Sequence, residues 1–68
     1  MNIYAKRGDM VVFTCDGGHE YEREAAKTMM DIGETYIVDR TDVGAWRTDV
    51  YLRGVPGKWN STLFEDAV

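Results

Sequence analysis

The sequence predicts a mainly β protein of one domain, with five short antiparallel strands and a single short helix. Three observations predict it. Apolar residues come in short β-branched and aromatic runs punctuated by glycine turns. Helical spacing occurs in one stretch only, residues 20–30. The 68 residues supply one small core and no second domain, so residues 1–68 are read as a single unit.

The elements follow in order. Gly8 and Asp9 lead into residues 10–15, Met-Val-Val-Phe-Thr-Cys, a buried strand that Asp16-Gly17-Gly18 ends as a turn. In the helix, Tyr21, Ala25, Ala26, Met29 and Met30 are expected to face the core, with Glu22, Arg23, Glu24 and Lys27 in solvent. Its early acids and late Lys27 suit the helix dipole, but so short a helix needs tertiary packing to persist. Asp31 and Gly33 mark its end.

Residues 35–40 form the second strand, with Tyr36 and Val38 on one face and Thr35, Ile37 and Asp39 on the other. After a turn at residues 42–45, residues 47–52 form the third. Thr48, Val50 and Leu52 are expected inside, and Asp49, Tyr51 and the following Arg53 outside. Gly54-Val55-Pro56-Gly57 reads as a tight turn before a short strand, Lys58-Trp59-Asn60, whose Trp59 is expected in the core. Asn60 or Ser61 caps a 3₁₀ turn through Thr62-Leu63-Phe64, with Glu65 placed for a capping box. Asp66-Ala67-Val68 is long enough for a last edge strand.

This order is that of an SH3-like barrel. The segments G-D-M-V-V-F at 8–13, G-E-T-Y-I-V at 33–38, T-D-V-Y-L at 48–52 and W-N-S-T-L-F-E at 59–65 carry a resemblance across nearly the whole chain. They resemble short SH3-like barrel proteins, many of them uncharacterised proteins of bacteria and their phages. The shared motifs are structural: glycine turns, core aromatics and a cap. The resemblance implies a five-stranded antiparallel barrel and a role in binding, with no catalytic signature. The helical insertion at 20–30 departs from a minimal SH3 domain, which has an irregular hairpin there. No polyproline-binding pattern carries over. The alternative fold is an α+β arrangement, a four-stranded antiparallel sheet with one packed helix.

Charge and composition narrow the function. Twelve acidic residues against eight basic give a net charge of −4. That opposes nucleic-acid binding, which relies on Lys and Arg neutralising phosphates. It favours a basic partner surface. The one cysteine, Cys15, precludes an internal disulfide and fits a reducing, cytoplasmic setting. No apolar stretch suits a membrane helix, and the first residues lack the order of a signal peptide. No cofactor or metal is expected, and the protein is read as a monomer or homodimer.

Each candidate for chemistry has a plain structural counterpart. Cys15 and His19 could be half a metal site or a nucleophilic pair, but a Gly-Gly turn separates them and no third group is specified. The ordinary alternative is a core thiol and a solvated histidine. The Asp16-Gly17-Gly18-His19 loop before a helix could cradle phosphate, but it lacks a lysine and Asp16, Glu20, Glu22 and Glu24 would repel an anion. The carboxylates read as a solvated acidic face, with no two brought into one pocket. Met29 and Met30 read as core packing. Trp46 beside a turn, with Tyr51 and a polar rim of Asp49 and Arg53, makes the candidate interaction face; a Trp46 folded over the barrel end is its alternative. The function expected is therefore a non-enzymatic protein-interaction module, of the kind by which a phage modulates a host protein. A nucleic-acid-binding SH3-like domain, and a small-ligand binder or enzyme using the Cys15–His19 loop, are the alternatives.

Overall fold

In the computed structural model, which describes residues 1–67, the apolar runs become β1 (Met10–Phe13), β2 (Thr35–Val43), β3 (Thr48–Leu52), β4 (Val55–Asn60) and β5 (Phe64–Asp66). A helix, α1 (Glu20–Lys27), lies between β1 and β2, and a 3₁₀ turn (Ser61–Leu63) between β4 and β5. The strands form one five-stranded antiparallel sheet in the order β4-β3-β2-β1-β5. The mainly β class and the single helix are as expected, and the four-stranded alternative is not adopted.

β2 is the spine of the sheet. Its first residues pair with β1, Met10 opposite Ile37 and Val12 opposite Thr35. From Val38 onward it pairs with β3, Val38 opposite Leu52 and Val43 opposite Thr48. The register shifts between Val38 and Arg40, leaving Asp39 as the extra residue of a bulge. A bulge bends its strand and tightens the local twist. The bend lets one sheet curl around Val11, Phe13, Val38, Val50, Leu63 and Phe64, all almost or wholly buried. Phe13 and Phe64 face each other across the β1–β5 pair, ring centroids 5.6 Å apart.

The expected barrel does not close. β4 and β5 are the two ends of the strand order and are not paired with each other. At β5 the Met1 nitrogen donates to the Phe64 carbonyl (3.0 Å), and the Asn2 amide donates to the Asp66 side chain at Oδ1 (3.0 Å). β5 is also only three residues long. On the opposite edge Pro56 lacks an amide donor, which is tolerated in an edge strand.

Several boundaries move. The tight turn is Arg53-Gly54, with Gly54 at φ +78°, so Pro56 and Gly57 belong to β4 rather than to the turn. β1 ends at Phe13. Thr14 and Cys15 leave the ladder, and both donate their amides to the Leu63 carbonyl (2.9 and 3.1 Å). Asn60 is the cap: its side-chain oxygen accepts from the Thr62 amide (3.0 Å) and hydroxyl (2.8 Å). Glu65 lies exposed in β5 and completes no capping box. The last expected strand residue, Val68, lies outside the described residues.

The helix is turned from its expected orientation. Ala26 and Met30 reach the core, but Tyr21, Ala25 and Met29 are exposed, while Glu22 and Arg23 are partly buried. The inward stripe is therefore Glu22, Ala26 and Met30, at spacings of four. Arg23 donates to the Gly18 carbonyl (2.7 Å), closing the loop before the helix.

Gly17 is fixed by close approach. A Cβ there would lie 2.4 Å from Thr62 Cβ and 2.7 Å from the Thr62 carbonyl oxygen. Gly17→Ala is expected to destabilise the fold by about 1–3 kcal/mol through overpacking. Urea unfolding measures it, and an unchanged midpoint would mean that the loop does not press on the 3₁₀ turn.

Candidate functional site

The β2–β3 hairpin places the most exposed apolar side chain. Val43 pairs with Thr48, and the Gly44 amide donates to the Arg47 carbonyl (2.9 Å), so the loop between them is narrow. Trp46, at its tip, is 98% exposed. It borders a shallow depression of about 320 Å³ that Ile3, Thr48, Ser61 and Thr62 also line. Of the two alternatives for this residue, the structure has the exposed one.

Arg47, the next residue, turns back toward the helix. Its Nη1 donates to Glu22 Oε1 at 3.1 Å, and its Nη2 lies 2.7 Å and its Nε 2.9 Å from Asp49 Oδ1. Lys58 Nζ stands 3.8 Å from Asp49 Oδ2. The carboxylates are the buried members: the Glu22 and Asp49 side chains are 10% and 13% exposed, against 43% for Arg47. Hydrogen bonding with Asp49, then the charges of Asp49 and Glu22, hold the Arg47 guanidinium above its ordinary pKa against the opposing effect of burial. A raised pKa on a cation gives stability that is complete below arginine's ordinary pKa and is lost only as pH rises through the folded value.

This cluster forms one wall of an open groove of about 340 Å³ between α1 and the β3–β4 pair. Ala25, Trp59 and Leu63 supply its apolar lining, and Tyr21, 70% exposed, stands at its side. Two buried polar atoms of the groove residues have no hydrogen-bond partner among the described residues, Glu22 Oε2 and Trp59 Nε1.

The four residues expected to share an interaction face are not brought together. Asp49 is buried rather than on an exposed rim, covered by its pairing with Arg47 and Lys58. Tyr51 is half-buried, and the Arg40 guanidinium carbon lies 4.0 Å from its ring centroid. Arg53 is exposed, but at the β3–β4 turn. The five residues of β3 separate it from the Trp46 loop by about 16 Å at ~3.3 Å each. Trp59 is half-buried against the core rather than wholly within it.

Cys15 and His19 have separate surroundings. Cys15 is buried with Sγ 3.9 Å from the Arg23 carbonyl, while His19 is exposed and stacks on Tyr21 with ring centroids 5.5 Å apart. The Gly17-Gly18 loop turns carbonyls toward Arg23, an arrangement that takes a cation and not a phosphate. Met30 is buried and Met29 exposed, so only one of the pair packs the core. The sequence reading missed the gathering of Glu22 and Asp49 around Arg47. Its one visible sign was that Glu22 shares a stripe with Ala26 and Met30.

Fold and site together define a small mainly β protein with a solvent-exposed tryptophan beside a charge-walled groove. Residues 2–68 match the family described as Bacteriophage T4 protein Y07B, and the chain belongs to that family. No curated protein and no solved structure matches it. Among the described residues, no helix is long and apolar enough to cross a membrane.

Arg47→Met leaves Glu22 unpaired and Asp49 with only its long Lys58 contact. Discounted for the exposure of Arg47, the expected loss is about 1–2 kcal/mol. Asp49→Asn added to Arg47→Met should recover part of it, giving a non-zero coupling in a double-mutant cycle read by urea unfolding. Strict additivity would show that the pair is energetically silent.

Proposed function

We propose that the protein is a non-enzymatic interaction module that binds a host protein, with Trp46 as its anchor. The exposure of Trp46 carries this reading. A tryptophan offers roughly 150–250 Å² to a partner. At about 25 cal/mol per Å², covering it contributes on the order of 4–6 kcal/mol before the costs of association. The short hairpin and the anchored Arg47 hold the ring away from the core, so little is lost in ordering it. Membership of a phage family makes a host protein the natural partner, and the net charge of −4 favours a basic surface on it.

The alternatives find less support. Nucleic-acid binding needs a continuous basic track, and the cations beside the groove are already paired with carboxylates. Chemistry at Cys15 and His19 needs the two side chains in mutual reach, and they have different neighbours.

The test is capture from bacterial lysate by immobilised protein, read by mass spectrometry, with Trp46→Ala alongside. One enriched protein, retained at least tenfold less by the variant, is expected. Because Trp46 touches no core residue, the variant should keep its unfolding midpoint. Undiminished capture by a folded Trp46→Ala would remove Trp46 as the anchor.

A further inference from the structure

The groove beside α1 is walled by charges that are unevenly satisfied. Asp49 Oδ1 receives both Arg47 contacts, whereas Asp49 Oδ2 has only Lys58 Nζ at 3.8 Å, beyond hydrogen-bond distance. Glu22 gives Oε1 to Arg47 and leaves Oε2 without a donor, on a side chain nine-tenths buried. A buried carboxylate oxygen without a donor is costly. Glu22 Oε2 is such an oxygen, and Asp49 Oδ2 on the neighbouring group is held only by the long Lys58 contact, so the pair can take one more cationic donor. Lys58 is its present occupant, but the fit is loose and its side chain is 62% exposed.

The rest of the groove describes the shape of a better occupant. Ala25, Leu63 and Trp59 supply apolar and aromatic surface that would cover a long aliphatic stem. Tyr21 and Trp59 line the groove with aromatic rings, a group that attracts a guanidinium. A planar fork of N–H donors meets two carboxylates better than an ammonium does. The terminal torsion of Glu22 is soft, so rotation can bring Oε2 round to the groove.

We propose that this groove receives an arginine side chain of the partner protein, which displaces Lys58 from Asp49. The exchange replaces one cation by another, so the four charges of Glu22, Arg47, Asp49 and the incoming or outgoing cation stay balanced. Arg47 and Asn60 line both the groove and the depression beside Trp46, so the two form one continuous surface. This rests on the reading of the protein as an interaction module, and it supplies that module's second contact and the chemistry it selects.

The experiment titrates the labelled protein with acetyl-Gly-Arg-Gly-amide and follows the two indole N–H resonances by NMR, against the same peptide carrying uncharged citrulline. A saturable shift of the Trp59 resonance with the arginine peptide only is expected. Lys58→Ala should tighten binding at least threefold by removing the competitor, and Asp49→Asn should weaken it at least tenfold. The Lys58 variant keeps the test decisive if Asp49→Asn fails to fold. A still Trp59 resonance, an equal response to citrulline, or weaker binding by Lys58→Ala overturns the proposal. Host-protein capture that depends on Trp46 while the peptide does not bind rejects the groove alone. Peptide binding with capture indifferent to Trp46 rejects the anchor and keeps the groove.

Discussion

The bend in β2 is the constraint on which the rest of the structure depends. A flat five-stranded sheet of this length would expose both faces and could not bury a core by itself. The bulge at Asp39 lets one strand serve two partners at different angles, β1 before it and β3 after it. The two halves then share an interior, and the 3₁₀ turn fills it. Leu63 is central there: its side chain is fully buried, and its carbonyl holds the amides of Thr14 and Cys15 as they leave β1. The curl of the sheet thus fixes where the chain must break regular pairing, and so where the helix begins.

The same curl explains a buried charge cluster in so small a domain. α1 reaches the core through Ala26, with Met30 following just past its end, and the helical repeat carries Glu22 inward as well. An isolated carboxylate in that position would be expensive. Arg47 offsets the cost from a loop 25 residues away, and Asp49 beside it completes the cluster. One residue therefore ties the helix to the β2–β3 hairpin. It also leaves its neighbour Trp46 pointing outward, because the backbone that sends Arg47 toward the helix turns the preceding side chain to solvent. The residue that stabilises the helix and the exposed tryptophan are adjacent in the chain for a mechanical reason.

The fold was largely legible in the sequence because its signals are local. Val-Val-Phe, Tyr-Ile-Val and Val-Tyr-Leu gave three strands at nearly their true positions, and Asn60 announced the 3₁₀ turn. Pro56 misled because a proline beside two glycines is a turn signal in isolation. Only the edge position of β4 makes it acceptable in a strand. That the barrel stays open was not legible, since which strands pair at its two edges is a tertiary fact. The site was read in part. Trp46 was singled out by its type and its place beside a turn, whereas Asp49 was assigned outward by strict alternation. Alternation identifies the opposite face of a strand and is silent on what covers that face. Glu22 and Arg47 were missed for the same reason, as their partnership is a tertiary fact.

The treatment of the two sheet edges limits how a partner can be recognised. One edge is lined by the chain's own first residues, and the other carries a proline. Neither offers a full ladder of free amides and carbonyls, so a partner gains little by extending the sheet with a strand of its own. On the proposed reading as an interaction module, recognition falls to side chains and not to backbone. Affinity gained that way depends on the identity of a few groups on the other molecule. In the proposed interaction a host could escape by changing one of them, and a phage could follow by changing one in return, with the sheet on both occasions left as it was.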